Sequence, residues 1–241
     1  MIVSVQKGNA IAIYIIMENK ERKNWRINQK KFFTKEKLFF LKTHNSLEEY
    51  FGYRFTKSSE TLGAIYIVRD PRNVISSMCN HYSMNFNEMY NKMIDENASL
   101  STKNSDGDLS NFSFLGSWSN HYKSWKNNFE FKTLFVKYED LEEKAHDEFW
   151  KILTFIEELT GKNEPINKRK FKNAINSTNF SSLKQKEKLH GFKESLTYKK
   201  DSKTNFFNLG FKNKWQQNLP EEISSKIKEK FFNELKELKY E

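Results

Sequence analysis

Short apolar runs separated by polar stretches set the pattern of this chain and predict the strands of a sheet. Within each run neighbouring positions are apolar, without alternation, which is typical of strands buried on both faces of a parallel sheet. The three runs are Leu38 to Leu41, Ala64 to Val68, and Thr133 to Val136. Polar residues follow each run directly, so the sequence predicts three strands with polar side chains at their carboxyl ends.

Helical periodicity and helix-end signals predict four helices. Asp70 before Pro71 is a start signal, because an Asp side chain caps the first turn and proline suits the first helical position. Gly161 is a stop signal, since glycine accepts the left-handed conformation that ends many helices. The predicted helices run from Pro71 to about Ser83, from about Ser113 to Asn127, from Leu141 to Leu159 and from Glu221 to Leu238.

Two polar stretches predict long surface loops, Asp95 to Asn111 and Lys184 to Lys203. Strands that alternate with helices predict an α/β fold with a central parallel sheet flanked by helices, in a single domain over residues 1–241. In such sheets ligands bind beyond the carboxyl ends of the strands. We therefore expect the polar residues at those ends to line one crevice.

Composition narrows the class of partner. The chain carries 41 Lys and Arg against 31 Asp and Glu, a formal charge of +10, which suits nucleic acid, an anionic membrane or a phosphorylated cofactor. The lysines are spread along the whole chain, which favours a compositional bias over a dedicated nucleic-acid surface. The longest apolar run, Ile11 to Met17, is too short to span a membrane, and the five histidines lack the spacing of metal ligands. Cys79 is the single cysteine, so an internal disulfide is excluded and the cytoplasm is the expected location.

The segment from Tyr66 to Ser77 combines the features of a phosphate site. It consists of a strand, Arg69 at the strand's end, and a capped helix whose amino terminus carries partial positive charge. Arg69 and Arg72 add full charges that suit phosphate oxygens. The residues alone leave a second interpretation open, in which Arg69 pairs with a carboxylate and Ser77 only packs.

The same segment resembles the 3′-phosphate-binding segment of sulfotransferases, where an Arg after a strand and a Ser eight residues later hold the 3′-phosphate. Arg69 and Ser77 have that spacing. Four further elements resemble family motifs in the family's order: Lys42-Thr43-His44, Tyr138-Glu139-Asp140, Thr178-Asn179-Phe180, and Phe206 to Gly210 followed by Trp215. Five such elements in order are hard to obtain by chance, and they span most of the chain.

The resemblance implies a three-layer, P-loop nucleotide-hydrolase-like fold and transfer of a sulfuryl group from 3′-phosphoadenosine-5′-phosphosulfate (PAPS) to a hydroxyl or an amine. In that family His44 would be the general base, Lys42 would stabilise the charge shared with the leaving phosphate, and Lys7 would assist the leaving group. The implied nucleotide-binding residues are Arg69, Ser77, Tyr138, Thr178, Phe180, Asn208 and Gly210. No metal is implied.

Two segments depart from the family pattern. Lys7-Gly8-Asn9 stands where the family has a longer phosphosulfate-binding loop of the type Pro-Lys-Ser-Gly-Thr/Asn-Thr-Trp. Either a strand precedes this remnant, or Ile11 to Met17 is the strand and Lys7 lies at its wrong end. Asn208 stands where the family usually has an Arg; nearby Lys203 or Lys212 could supply its charge, but not its bidentate geometry.

The sequence therefore predicts a PAPS-dependent sulfotransferase that acts on a small-molecule or carbohydrate acceptor by in-line displacement. Two other interpretations stay open. One is a catalytically impaired relative that only binds nucleotide or a partner, which the altered amino-terminal loop favours. The other is a basic nucleic-acid-binding domain, against which the dispersed lysines and the lack of an aromatic and basic recognition motif argue.

Overall fold

The computed structural model of the chain describes residues 40–103, 109–162, 165–192 and 205–241. These residues fall into two compact units, each built from separate stretches of chain. The first unit contains Arg69–Asn91 and the described part of Lys137–Glu241. The second contains residues 40–68 and the described part of Lys92–Val136.

The helices and strands follow one another in mixed order along the chain. They are β1 (Gly63–Val68), α1 (Pro71–Tyr82), α2 (Phe86–Ile94), β2 (Ser99–Lys103), β3 (Leu109–Phe114), α3 (Trp118–Lys126), β4 (Lys132–Lys137), α4 (Tyr138–Glu143), α5 (Ala145–Thr160), α6 (Lys168–Thr178), α7 (Phe180–His190), a 3₁₀ turn (Gly210–Lys212), α8 (Trp215–Asn218), α9 (Glu221–Lys230) and α10 (Phe232–Glu237).

Strands β1 and β4 are neighbours in one sheet, although helices and a hairpin separate them in sequence. Such crossover connections are what parallel strands require. Five of the six residues of β1 are buried, as expected for a strand covered on both faces. The predicted α/β class with a parallel sheet is confirmed, as are the strands predicted at Ala64 to Val68 and Thr133 to Val136. The remaining predicted strand ran from Leu38 to Leu41. Residues 38 and 39 lie outside the described residues, while Phe40 and Leu41 lie in no regular strand.

Aromatic side chains build the core of the second unit on β1. The ring of Tyr66 lies 5.1 Å from Phe135 and 6.1 Å from both Tyr122 and Trp125, measured between ring centroids. Trp125 is only 1% exposed, so this face of α3 is fully covered. Burying aromatic rings in this way stabilises a fold in a chain whose overall apolar content is low.

The loop predicted from Asp95 to Asn111 is wrong, because β2 and β3 form an antiparallel hairpin there. The hairpin's residues are mostly Ser, Thr, Asn and Lys, so no apolar alternation marks it in the sequence. The helix predicted from Ser113 also begins later, at Trp118. Ser117 caps it, since the Ser117 side chain accepts a hydrogen bond from the backbone N–H of Asn120 at 3.1 Å.

The helix start predicted at Asp70 and Pro71 and the helix end predicted at Gly161 are confirmed in the first unit. The Asp70 side chain caps α1 by accepting from the backbone N–H of Arg72 at 2.9 Å, and Pro71 is the first helical residue. Gly161 ends α5 in the left-handed conformation, with φ +64°. The apolar face of the last predicted helix is buried, at Ile223, Ile227, Phe231 and Leu235. That helix breaks at Phe231 into α9 and α10, and the one predicted from Leu141 breaks at Lys144 into α4 and α5.

The predicted loop from Lys184 to Lys203 is wrong in its described part, because α7 continues to His190. Asn179 starts this helix by accepting from the backbone N–H of Ser182 at 2.9 Å. Helices α2 and α6 were not predicted either. No helix within the described ranges combines the length and apolar character that crossing a membrane would take.

Candidate nucleotide and catalytic sites

Arg69 leaves the end of β1 and meets two other residues predicted to bind nucleotide. Its Nη1 donates to the Oγ of Ser77 at 3.4 Å, and the centre of its guanidinium lies 4.3 Å from the centroid of the Tyr138 ring. The spacing of eight residues produces this contact, because Ser77 lies in the second turn of the helix that begins just after Arg69. All three side chains are buried. The structure therefore brings Arg69, Ser77 and Tyr138 into one cluster.

One donor in this cluster has no acceptor. Arg69 is only 6% exposed, and its Nε is buried without a hydrogen-bond partner. A guanidinium stays charged at any physiological pH, and an unsatisfied buried donor costs about 1–3 kcal/mol, more when it is charged. An oxygen atom of an anion would remove that cost. The cluster therefore fits a phosphate group.

Glu142 interacts with this cluster, because it hydrogen-bonds to the hydroxyl of Tyr138 and its charge acts on Arg69. Burial raises the pKa of Glu142, while the hydrogen bond from Tyr138 and the charge of Arg69 act in the opposite direction. Burial also raises the pKa of Tyr138, so its hydroxyl stays protonated and donates. These shifts mark the surroundings of Arg69 as poorly solvated.

Asn213 connects the segment after Gly210 to α1, and no sequence motif predicted this role. Its Nδ2 donates to the Oγ of Ser77 at 3.0 Å and to the backbone carbonyl of Asn73 at 2.8 Å. The Oδ1 of Asn73 accepts in turn from the backbone N–H of Trp215 at 2.8 Å. Ser77 is thus held between Arg69 on one side and Asn213 on the other.

Phe180 and Gly210 form a second contact between predicted residues. Gly210 has φ +57°, and a Cβ at this position would lie 2.8 Å from atoms of the Phe180 ring. Only glycine allows both the backbone conformation and the close approach. Thr178 behaves differently: its hydroxyl donates to the backbone carbonyl of Ala174 at 2.7 Å, within its own helix.

The side chain of Asn208 binds a residue of α1, since its Nδ2 donates to the Oδ1 of Asn80 at 3.1 Å. The cation in contact with it is Lys184, whose Nζ donates to the backbone carbonyl of Asn208 at 2.7 Å. Lys203, one of the two lysines suggested by the sequence, lies outside the described residues. Lys184 was missed because it is 24 residues away in sequence, in a stretch expected to be a loop.

Arg72, predicted to join the phosphate site, pairs with Asp70 instead. Its Nε and Nη2 donate to the two carboxylate oxygens of Asp70 at 3.0 and 2.9 Å. Nη2 also donates to the backbone carbonyl of Tyr240 at 2.7 Å, and the guanidinium stacks 4.2 Å from the centroid of the Trp215 ring. The helix-capping carboxylate of Asp70 therefore compensates the charge of Arg72.

Lys42 and His44 belong to the second unit, and both are half-buried. The residues around them are held closely. The Oγ1 of Thr43 accepts from the backbone N–H and the Nδ2 of Asn45, at 3.0 and 2.9 Å. The backbone carbonyl of His44 lies 3.1 Å from the Nε2 of His121. Lys7, the remaining predicted catalytic residue, lies outside the described residues.

Comparison with known proteins places these residues in a family context. A family model described as "Sulfotransferase domain" matches residues 8–239. Among solved structures, the mouse sulfotransferase SULT7A1 complexed with PAP is similar at 21% identity and TM-score 0.48, over 71% of this chain and 58% of that one. A retinol dehydratase in complex with androsterone and inactive cofactor PAP is similar at 18% identity and TM-score 0.46, over 71% of this chain and 47% of that one.

The chain thus spans about half the length of these two proteins. No curated protein matches its sequence. The family model nevertheless leaves out only the first seven and the last two of the 241 residues, since it runs from 8 to 239. The chain belongs to the sulfotransferase domain family.

Proposed function

We propose that this chain is a PAPS-dependent sulfotransferase that transfers a sulfuryl group to a hydroxyl or amine of a small-molecule or carbohydrate acceptor. The observation that carries the proposal is Arg69, a buried cation whose Nε has no acceptor and whose Nη1 contacts the hydroxyl of Ser77. Phosphate oxygens accept from arginine in this kind of setting. Family membership supports the same assignment.

The residues that would hold the nucleotide lie in the first unit. Arg69 and Ser77 would bind its 3′-phosphate, and Tyr138 would lie near the adenine while supporting the guanidinium with its ring. Phe180, packed on Gly210, and Thr178 are the other proposed contacts. Lys184 would supply positive charge beside Asn208 in place of the family's arginine. The ammonium of Lys184 is a compact charge, so it could attract the phosphate but could not form the two parallel hydrogen bonds of an arginine.

The proposed chemistry is an in-line displacement. The acceptor oxygen forms a bond to sulfur as the bond between sulfur and the leaving phosphate oxygen breaks, and the acceptor proton goes to His44. Positioned general bases contribute about 10²–10⁴-fold to such rates. Lys42, together with Lys7, would stabilise the negative charge that develops on the leaving phosphate. Without that charge stabilisation the phosphate would be a poorer leaving group.

Calorimetric titration with adenosine 3′,5′-bisphosphate tests the nucleotide site. Arg69→Ala should weaken binding about 10- to 100-fold, because a hydrogen bond to a charged group contributes about 1.5–3 kcal/mol. Arg169→Ala is the matched control, since it removes the same charge from an exposed position on α6 of the same unit. Binding that is unchanged in Arg69→Ala, or absent in folded wild-type protein, would refute the proposal.

Transfer from radiolabelled PAPS to a panel of phenols, alcohols and sugars tests the catalytic step. His44→Gln should abolish transfer while leaving nucleotide affinity unchanged. The control His190→Gln, at an exposed position on α7, should retain the wild-type transfer rate. Nucleotide binding without any transfer would favour the second candidate, a catalytically impaired relative. The observation behind that candidate is Asn208, which stands in place of an arginine and commits its amide to Asn80.

Domain organisation and location are part of the same proposal. Because the family model runs through both units, we propose that they act as a single sulfotransferase domain. One cysteine in the whole chain suits a reducing compartment, and the cytoplasm is the location that we propose.

A further inference from the structure

One face of α3 holds the backbone of the segment that contains His44. Residues 121, 124 and 125 are spaced three and four apart, so their side chains lie on the same face of the helix. The Nε2 of His121 is 3.1 Å from the carbonyl oxygen of His44, and the Nε1 of Trp125 donates to the carbonyl oxygen of Asn45 at 3.0 Å. The Oγ of Ser124 accepts from the backbone N–H of Leu47 at 2.9 Å. Three side chains of one helix therefore bind three backbone groups of the segment 44–47.

The other side of this segment is bound to the end of β3. The Oδ1 of Asn45 accepts from the backbone N–H of Phe114 at 2.9 Å, and the backbone N–H of Ser46 donates to the carbonyl of Phe114 at 2.8 Å. Asn45 is 3% exposed and Ser46 is 1% exposed. The backbone on the carboxyl side of His44 is thus fixed from two directions, and His121 contacts the carbonyl oxygen of His44 itself.

The protonation state of His121 follows from its contacts. Burial lowers its pKa to about 4, so the ring is neutral at physiological pH and carries one N–H. A carbonyl oxygen can only accept, so the proton is on Nε2 and points at His44. Nδ1 is then an acceptor, and the hydroxyl of Tyr66 donates a hydrogen bond to it, with 2.9 Å between the oxygen and Nδ1. Burial raises the pKa of Tyr66, which keeps that hydroxyl protonated.

We propose that His121 is a positioning residue for His44: its hydrogen bond to the His44 carbonyl sets the place of the backbone that carries the imidazole of His44. This inference rests on the proposed function, in which His44 is the general base. A base must reach the acceptor proton within about 2.6–3.2 Å, and a displacement of about 1 Å far from the chemistry can cost roughly 10²-fold in rate. Of the two histidines, the buried one would set the geometry and the half-buried one would carry the proton.

Two amide substitutions of His121 separate positioning from simple loss of volume. The amide of Gln ends where the Nε2 of histidine lies, so His121→Gln can still donate to the His44 carbonyl. The amide of Asn ends near the Nδ1 position, so His121→Asn can reach Tyr66 but not His44. Both variants place the same polar group in the same cavity.

The first measurement is an NMR titration of the His44 ring in the protein without nucleotide, with the resonance assigned by His44→Gln. We expect His121→Gln to retain the wild-type titration midpoint and His121→Asn to shift it by at least about half a pH unit, because the ring leaves its fixed surroundings. His121→Ala should shift it in the same direction, because it also lacks a donor for the His44 carbonyl, and it serves in place of His121→Asn if that variant does not fold. Identical His44 midpoints in wild type and all folded variants would overturn the proposal.

The second measurement separates this inference from the proposed function. Neither substitution at position 121 alters Arg69, Ser77 or Tyr138, so nucleotide affinity should be unchanged in both variants, whereas transfer from PAPS should fall about 10- to 100-fold in His121→Asn alone. Equal transfer rates in the two variants would contradict positioning. If wild-type protein binds no nucleotide, the proposed function fails, and the His44 titration still decides whether His121 positions that ring.

Discussion

Replacing Gly210 with alanine tests the close contact between the 3₁₀ turn and α7. Gly210 has φ +57°, and the added Cβ would lie 2.8 Å from two atoms of the Phe180 ring, a distance that real Cβ atoms do not reach. The left-handed conformation costs a residue other than glycine about 1–2 kcal/mol. Forcing an extra methyl group into a packed site adds about 1–3 kcal/mol. We therefore expect Gly210→Ala to lower the free energy of unfolding by about 2–5 kcal/mol.

Gly161→Ala provides the matched control for backbone strain. Gly161 has φ +64°, close to that of Gly210, but a Cβ there would meet no atom within 4 Å. This variant should lose only the conformational contribution, about 1–2 kcal/mol. Urea unfolding of the two variants and the wild type gives these free energies. The comparison requires that the free energy of unfolding depends on urea concentration with the same slope in all three proteins.

The difference between the two variants isolates the contact with Phe180. A double-mutant cycle gives a second estimate, because Phe180→Leu replaces the flat ring with a side chain that can move aside. Gly210→Ala should cost about 1–3 kcal/mol less in the Phe180→Leu background than in wild type. Equal destabilisation by the two glycine substitutions, with no coupling to Phe180, would refute the reasoning.

Three further predictions concern burial and charge. Arg72→Met leaves the buried Asp70 carboxylate unpaired, so it should lower the free energy of unfolding, measured by urea denaturation, by about 3–5 kcal/mol. Lys144→Met breaks an exposed pair and should change this free energy by less than about 1 kcal/mol. Burial raises the pKa of Cys79 to about 11, so iodoacetamide at pH 8 should alkylate it far more slowly in native protein than in urea, and equal rates would contradict this. Burial lowers the pKa of His121 to about 4, below the value of about 6.5 in unfolded chains. The unfolded state therefore binds more protons between these two pH values. The contribution of His121 to the free energy of unfolding should be constant above about pH 6.5 and should fall by up to about 3 kcal/mol as the pH drops to 4. His121→Gln should remove this fall.

Signals that act within a few residues predicted some of the described elements. Asp70 and Pro71 start α1 as expected, because capping depends on a side chain two residues from its partner. The apolar spacing of Ile223 and Ile227 predicted the buried face of α9 for the same reason, since a helix repeats locally. The hairpin of β2 and β3 was missed because polar strands are stabilised by pairing with each other, and that pairing leaves no local pattern.

The same distinction applies to the candidate site. Arg69 and Ser77 could be found because they share one strand and helix, so their spacing implies their contact. Asn213, Lys184 and His121 could not, since their partners lie 136, 24 and 77 residues away in sequence. Which of many asparagines and lysines reaches a given backbone group is decided by tertiary packing. The sequence therefore indicated the family's motifs but not the residues that support them.

Arg69 and Arg72 illustrate why residue type alone does not define a phosphate site. They lie three residues apart on either side of a helix start, and both are buried. Arg72 faces the carboxylate of Asp70 and two of its donor groups are bound there, so its charge is compensated within the protein. Arg69 faces a hydroxyl and an aromatic ring, neither of which carries a full charge. Glu142, whose charge interacts with that of Arg69, hydrogen-bonds to the hydroxyl of Tyr138. For this reason we propose Arg69 as the residue that binds the nucleotide phosphate, and a structural role for Arg72.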